Sequence, residues 1–159
     1  LGSLQMTNTK VEFTSYSPEN TQAFGKRMGQ MAKENDVFLL TGTLGAGKTC
    51  LTQGIVWGLG CQEYARSPTF ILATTYQGRL PIYHLDLFRI ENSLDLLDIG
   101  IEEYLEGEGV CIIEWADKTN GIFPLNSIKI HLEYTSVRSH RKITIVAPDT
   151  FSSDLMAGF

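Results

Sequence analysis

At 159 residues, with 43% hydrophobic and 19% charged, the chain is long enough to bury one core and too apolar for intrinsic disorder. A net charge of −5 argues against a free-standing nucleic-acid binder, yet leaves open a nucleic-acid process in which another protein grips the phosphates. No apolar run approaches the ~18 residues that span a bilayer, and no signal peptide is visible.

The predicted elements alternate. KVEFTSY (10–16) has the period of a short strand. Ser17 then offers an N-cap and Pro18 a first helical position, and Ala23, Phe24, Met28 and Met31 give the next helix one apolar face to about Glu34. VFLL (37–40) is short and uniformly apolar, so it reads as a buried parallel strand. A glycine-rich turn leads into a helix from Lys48 to about Leu59, with Leu51, Ile55 and Leu59 at four-residue steps and Gly60 as its stop. TFILATTY (69–76) and LPIYHLDLF (80–88) flank QGR and read as an antiparallel pair. Residues 92–106 are predicted helical, capped by Asn92 or Ser93 and broken at Gly100. VCIIEW (110–115) is a further buried strand, and 126–134 with 141–148 form a closing pair. With the glycine-rich GTLGAGKT (42–49) between the second strand and the second helix, the expectation is an α/β fold of three layers: a phosphate-loop NTPase with a mostly parallel central sheet and antiparallel additions. Residues 6–148 are expected to form the single domain. LGSLQ (1–5) reads as a cloning remnant and 149–159 as a frayed tail.

Gly42-Thr43-Leu44-Gly45-Ala46-Gly47-Lys48-Thr49 satisfies G-x-x-x-x-G-K-[ST] between a predicted strand and a predicted helix. Its glycines let backbone N–H groups turn toward phosphate oxygens, and the helix N-terminus adds partial positive charge. Lys48 is placed to reach the β- and γ-phosphates and Thr49 to give a hydroxyl to Mg²⁺. Cys50 follows in the first helical turn, where the helix field would lower a thiol's pKa; the plainer reading is a small packed or nucleotide-shielded thiol. The guanine-reading N-K-x-D element is missing, the nearest stretch being ADKTNG (116–121), and this favours ATP.

Two carboxylates end apolar strands, where ligands sit in open α/β sheets. Asp86 closes IYHLD, in the place of a Mg²⁺ carboxylate; the plain alternative is a turn or capping bond. Glu114 closes VCII ahead of Trp115. It either holds or activates the attacking water, contributes to the metal, or is an ordinary strand-end glutamate beside a core tryptophan. ARSPTF (65–70) sits where a nucleotide switch would lie, with Ser67 and Thr69 as its hydroxyls, although a plain Ser-Pro turn leading into a strand is the simpler reading of these residues. His84 reads as a packed or hydrogen-bonded histidine, and Arg66 and Arg89 as solvated cations. Cys50, Cys61 and Cys111 have no CxxC spacing and read as reduced thiols of a cytoplasmic protein, without a zinc site.

GTLGAGKT, SPTF, YHLDLFR and IEW, in this order and at these spacings over about residues 10–147, resemble the TsaE (YjeE) family. These are small ATPases of the bacterial machinery that makes N6-threonylcarbamoyladenosine at position 37 of tRNAs reading codons that start with A. The resemblance implies a nucleotide at the carboxyl edge of the sheet and SPTF as a switch-like loop. It also implies Mg²⁺ held by Thr49 with Asp86 or Glu114, and site roles for Glu114, Trp115, Ser67 and Thr69, with Trp115 as a base or partner contact. It further implies action on the two-subunit threonylcarbamoyl transferase complex, with tRNA reached only through those partners. Thr43 departs from the family's usual Asp, and Ala116 stands where the family often has Pro. Two other readings use the same loop. A small-molecule kinase would want an arginine-rich lid, and the arginines at 27, 66, 79, 89, 138 and 141 form no such cluster. A nucleotide-gated binding module would not need hydrolysis.

Overall fold

The computed structural model describes residues 7–65, 73–119 and 121–158. The sheet has seven strands: β1 (Asn8–Ser15), β2 (Val37–Thr41), β3 (Ala73–Gln77), β4 (Pro81–Asp86), β5 (Val110–Glu114), β6 (Ile128–Tyr134) and β7 (Arg141–Pro148). Their order is β1-β7-β6-β2-β5-β4-β3. The central pairs β6–β2, β2–β5 and β5–β4 are parallel, and antiparallel strands extend both edges. The helices are α1 (Pro18–Met31), α2 (Lys48–Gly58), α3 (Ser93–Asp98), α4 (Ile101–Glu106) and α5 (Asp149–Ala157), with a single 3-10 turn at Ala116–Lys118.

The alternation of side chains along β2 explains the layering. Phe38 and Leu40 pack with Met28 of α1, Leu51 and Ile55 of α2 and Leu155 of α5, while Val37 and Leu39 pack with Leu96 of α3 and Ile101 of α4. A strand buried on both faces has no polar alternation, which is why VFLL reads as a uniform apolar run. On β6 the pattern differs: Ile128, Ile130 and Leu132 are buried, whereas Lys129, His131 and Glu133 are exposed. The antiparallel flank therefore keeps one open face.

Helix α1 begins as predicted, with the Ser17 side chain accepting from the Asn20 N–H at 3.0 Å and Pro18 at the first position. It stops at Met31, three residues before the sequence reading, because Arg79 Nη2 from the β3–β4 turn donates to the carbonyls of Gly29, Gln30 and Ala32 at 2.8, 3.2 and 2.6 Å. Helices α1 and α2 cross at backbone contact. A Cβ at Gly54 would lie 2.2 Å from the Gln22 carbonyl oxygen, and one at Gly58 2.2 Å from that of Lys26. This crossing seats the helix that carries Lys48 and Thr49. The predicted break at Gly100 is present at φ 73°, between α3, which Asn92 caps with Asp95 in a capping box, and α4.

The expected frayed tail is instead α5. Leu155 is fully buried, Asp149 accepts from the hydroxyls of Thr7 and Thr9, and Arg27 Nη2 donates to the Asp154 carbonyl at 3.0 Å. An apolar anchor with polar ties at both ends orders a segment that composition alone does not mark. Residues 69–72 of the predicted third strand lie outside the described residues; its described part runs from Ala73 to Gln77. Among the described residues no helix is long and apolar enough to cross a membrane.

Candidate nucleotide site

The loop 42–47 leaves the carboxyl end of β2 and turns into α2 through Gly42, Gly45 and Gly47, at φ 142°, 81° and 107°. Two of these glycines are forced by neighbours as well as by dihedral. A Cβ on Gly42 would stand 2.5 Å from the Leu132 carbonyl oxygen, and one on Gly45 2.5 Å from the Tyr134 hydroxyl. Tyr134 also donates to the Leu44 carbonyl at 3.0 Å, and the Arg141 guanidinium stacks 4.2 Å above its ring. The end of β6 thus braces the loop from outside.

Lys48 is 5% exposed. Its ammonium donates to the carbonyls of Gly42 at 2.6 Å and Thr43 at 3.0 Å, and lies 3.9 Å from the centre of the Trp115 ring. Burial lowers its pKa; Glu114, Asp117 and Asp86 oppose that shift. Trp115 takes up a left-handed backbone, φ 59°, which is uncommon for a bulky residue, and its ring packs against Phe88 at 4.9 Å. The sequence reading offered Trp115 as a base or partner contact; its ring lies against the Lys48 ammonium.

Beyond Lys48, β4 and β5 end side by side, with Asp86 and Glu114 in register. Thr49 Oγ1 donates to Glu114 Oε1 at 2.9 Å, across 65 residues of chain. Glu114 is 2% exposed, and its Oε2 lies 2.5 Å from Nε2 of His84, which is fully buried. Asp86 accepts from the Phe88 N–H at 3.0 Å, the turn bond of the plain reading, and also lines a cavity with Lys48, Thr49 and Glu114. Burial raises the Asp86 pKa above the ordinary carboxylate value, and Glu114 adds to that rise.

Cys50 donates to the Pro18 carbonyl at 3.2 Å, and burial, reinforced by Glu19, pushes its thiol pKa up. The rise agrees with the packed-thiol reading and not with the lowered pKa weighed beside it. Ser67 and Thr69, like Arg66, lie outside the described residues.

Two cavities meet at the loop. One, of about 360 Å³, is lined by Leu44, Lys48, Thr49, Asp86, Glu114 and Trp115 among others. The other, of about 600 Å³, lies between Ser17, Pro18 and Thr21 at the start of α1 and Val137, Arg138 and Arg141 near the β6–β7 turn. Gly45, Gly47 and Cys50 border both. The sequence reading left the contact between His84 and Glu114 unnamed. The period of two in YHLD puts His84 and Asp86 on one face of β4, but nothing in the sequence brings β5 and Glu114 beside that face.

A family model described as threonylcarbamoyl adenosine biosynthesis protein TsaE matches residues 15–143, a span that holds the loop and both strand-end carboxylates. The chain belongs to the TsaE family. The TsaE protein of Treponema pallidum is 40% identical over 131 residues, covering 82% of this chain and 96% of that protein. TsaE of Bacillus subtilis is 37% identical over 139 residues, 87% and 86% of the two chains. The crystal structure of Bacillus subtilis YdiB superposes with a TM-score of 0.81 at 30% identity, covering 97% of this chain and 99% of that one. The fold of that structure is thus shared along nearly the whole length.

Proposed function

We propose that this TsaE-family chain is a cytoplasmic Mg²⁺-dependent ATPase subunit needed for N6-threonylcarbamoyladenosine formation at position 37 of tRNA. It acts on a two-subunit threonylcarbamoyl transferase complex and meets tRNA only through it. The observation that carries this reading is the hydrogen bond from Thr49 to Glu114, which joins the phosphate loop to the end of β5 beside Asp86. Phosphate-binding and water-handling groups thereby share one cavity.

The hydroxyl of Thr49 and the carboxylates of Asp86 and Glu114 are hard oxygen donors on one cavity wall, which fits Mg²⁺. When bound there, Mg²⁺ would neutralise charge on the β- and γ-phosphate oxygens. Thr49 and Asp86 are assigned to the metal. Lys48 exchanges its two loop carbonyls for phosphate oxygens, a trade that restores a full partner to an ammonium held at a desolvation cost. Glu114 orients the attacking water and takes its proton. Few groups suffice, because phosphoryl transfer through a loose transition state is catalysed mainly by positioning and electrostatics. The second cavity takes the adenosine moiety.

The test is reconstitution of tRNA modification from the transferase subunits, ATP and this chain, with the modified nucleoside read by mass spectrometry. Omission of the chain, or its replacement by Lys48→Met, is expected to halt modification after at most one round per complex. Undiminished multiple turnover without it would refute the assignment.

A further inference from the structure

We propose that His84 is a positioning residue for ATP hydrolysis, holding Glu114 in the one orientation that presents Oε1 to the phosphate-side cavity. The inference rests on the reading that Glu114 serves hydrolysis.

The two oxygens of Glu114 have different neighbours. Oε1 receives the Thr49 hydroxyl at 2.9 Å on the cavity side, and Oε2 meets His84 Nε2 at 2.5 Å inside the core. Whichever partner carries the hydrogen between them, this contact ties Oε2 to the His84 ring. His84 Nδ1 is buried with no hydrogen-bond partner among the described residues, so the ring's polar contact is spent on Glu114. A buried ring on a central strand has little freedom to turn. The main chain fixes it where His84 pairs with Ile112 on β5, and its face stacks on Tyr76 at 6.2 Å. Buried polar groups are costly unless satisfied, and here one group satisfies the other. A glutamate anchored by Oε2 cannot rotate its carboxylate away from the cavity without leaving both a buried imidazole nitrogen and a buried oxygen unpaired. Displacing a catalytic group by about 1 Å costs on the order of 100-fold in rate.

The experiment compares His84→Met with His84→Gln, near-isosteric side chains of which only Gln can donate toward Glu114. Phosphate release is measured at saturating ATP with the partner subunits present, and ADP affinity by calorimetry without them. His84→Met is expected to lower kcat on the order of 100-fold while the ADP Kd stays within about threefold of wild type. His84→Gln is expected to recover most of the lost rate. In a Glu114→Gln background, His84→Met should cost nothing further, because the two act as one unit. Wild-type kcat in His84→Met beside an inactive Glu114→Gln overturns the positioning role and leaves the hydrolysis reading standing. An active Glu114→Gln overturns the hydrolysis reading itself and this inference with it. If His84→Met fails to bind ADP through misfolding, His84→Gln is compared with His84→Asn, whose amide falls short of Glu114. Activity in the first alone supports the role, and equal rates in both overturn it.

Discussion

The two cavities that meet at the phosphate loop are built from different material. The smaller one, proposed for the phosphates, takes its charged and hydroxyl groups from the ends of buried strands and the first turn of α2: Asp86, Glu114, Lys48 and Thr49. The larger one is walled by chain turns, with Ser17 and Pro18 at the start of α1 and residues 137–139 between β6 and β7. The chemical core is therefore held by parallel hydrogen bonding and apolar burial on both faces of β2 and β5, whereas the other wall is held by local turns. Rigid elements fix groups within tenths of an ångström, and loops tolerate replacement. Substitutions on the first wall should act on turnover or phosphate affinity sharply, and those on the second on nucleoside affinity gently.

The largest effect is expected at Lys48. Lys48→Met should raise the Kd for ATP by more than about 100-fold, since a buried charge-assisted contact to phosphate is lost. The melting temperature without nucleotide should not fall, because the desolvation cost of the ammonium goes with it. Calorimetry and thermal unfolding read the two halves of this prediction. A substantial loss of stability would show that the lysine's contacts to Gly42 and Thr43 outweigh its burial cost.

Glu114→Gln separates turnover from binding within the same cavity. Phosphate release should drop about 100-fold or more, as for removal of a general base, with ATP affinity held within a few-fold. An equal fall in affinity would recast Glu114 as chiefly a metal ligand.

Gly54→Ala probes what both cavities share. A Cβ 2.2 Å from the Gln22 carbonyl forces α1 and α2 apart, which should cost about 1–3 kcal/mol of stability by chemical denaturation. The start of α1 borders the larger cavity and the start of α2 carries Lys48, so affinity for ATP and for tripolyphosphate should weaken together.

The smallest effect belongs to the loop wall. Ser139→Trp partly fills the larger cavity and should weaken ATP binding about tenfold while leaving tripolyphosphate affinity unchanged. Loss of both would place the phosphates in the larger cavity and break the division drawn here.

What could be read in the sequence follows the same division. The strand-loop-helix pattern around Lys48 and the carboxylates closing IYHLD and VCII are local signals, since a strand end and a glycine turn are written in consecutive residues. The contact of His84 with Glu114 was not legible, because it joins two strands whose adjacency only the sheet order supplies. The same holds for Gly54 and Gly58, which in sequence look like weak points in a helix and in the fold are where α1 approaches α2. Helix α5 was missed because its order comes from Thr7, Thr9 and Arg27, more than a hundred residues away. At Cys50 burial and the nearby Glu19 raise the thiol pKa, an environment that its position in the first turn of α2 does not reveal.

The most direct test is steady-state phosphate release from Mg-ATP by the chain alone and then with the two transferase subunits. Slow release alone and strong acceleration by the partners is the expected result, tying the phosphate-side cavity to a task performed on a complex. Equal rates with and without the partners would contradict the account, leaving a phosphate loop whose hydrolysis is not coupled to tRNA modification.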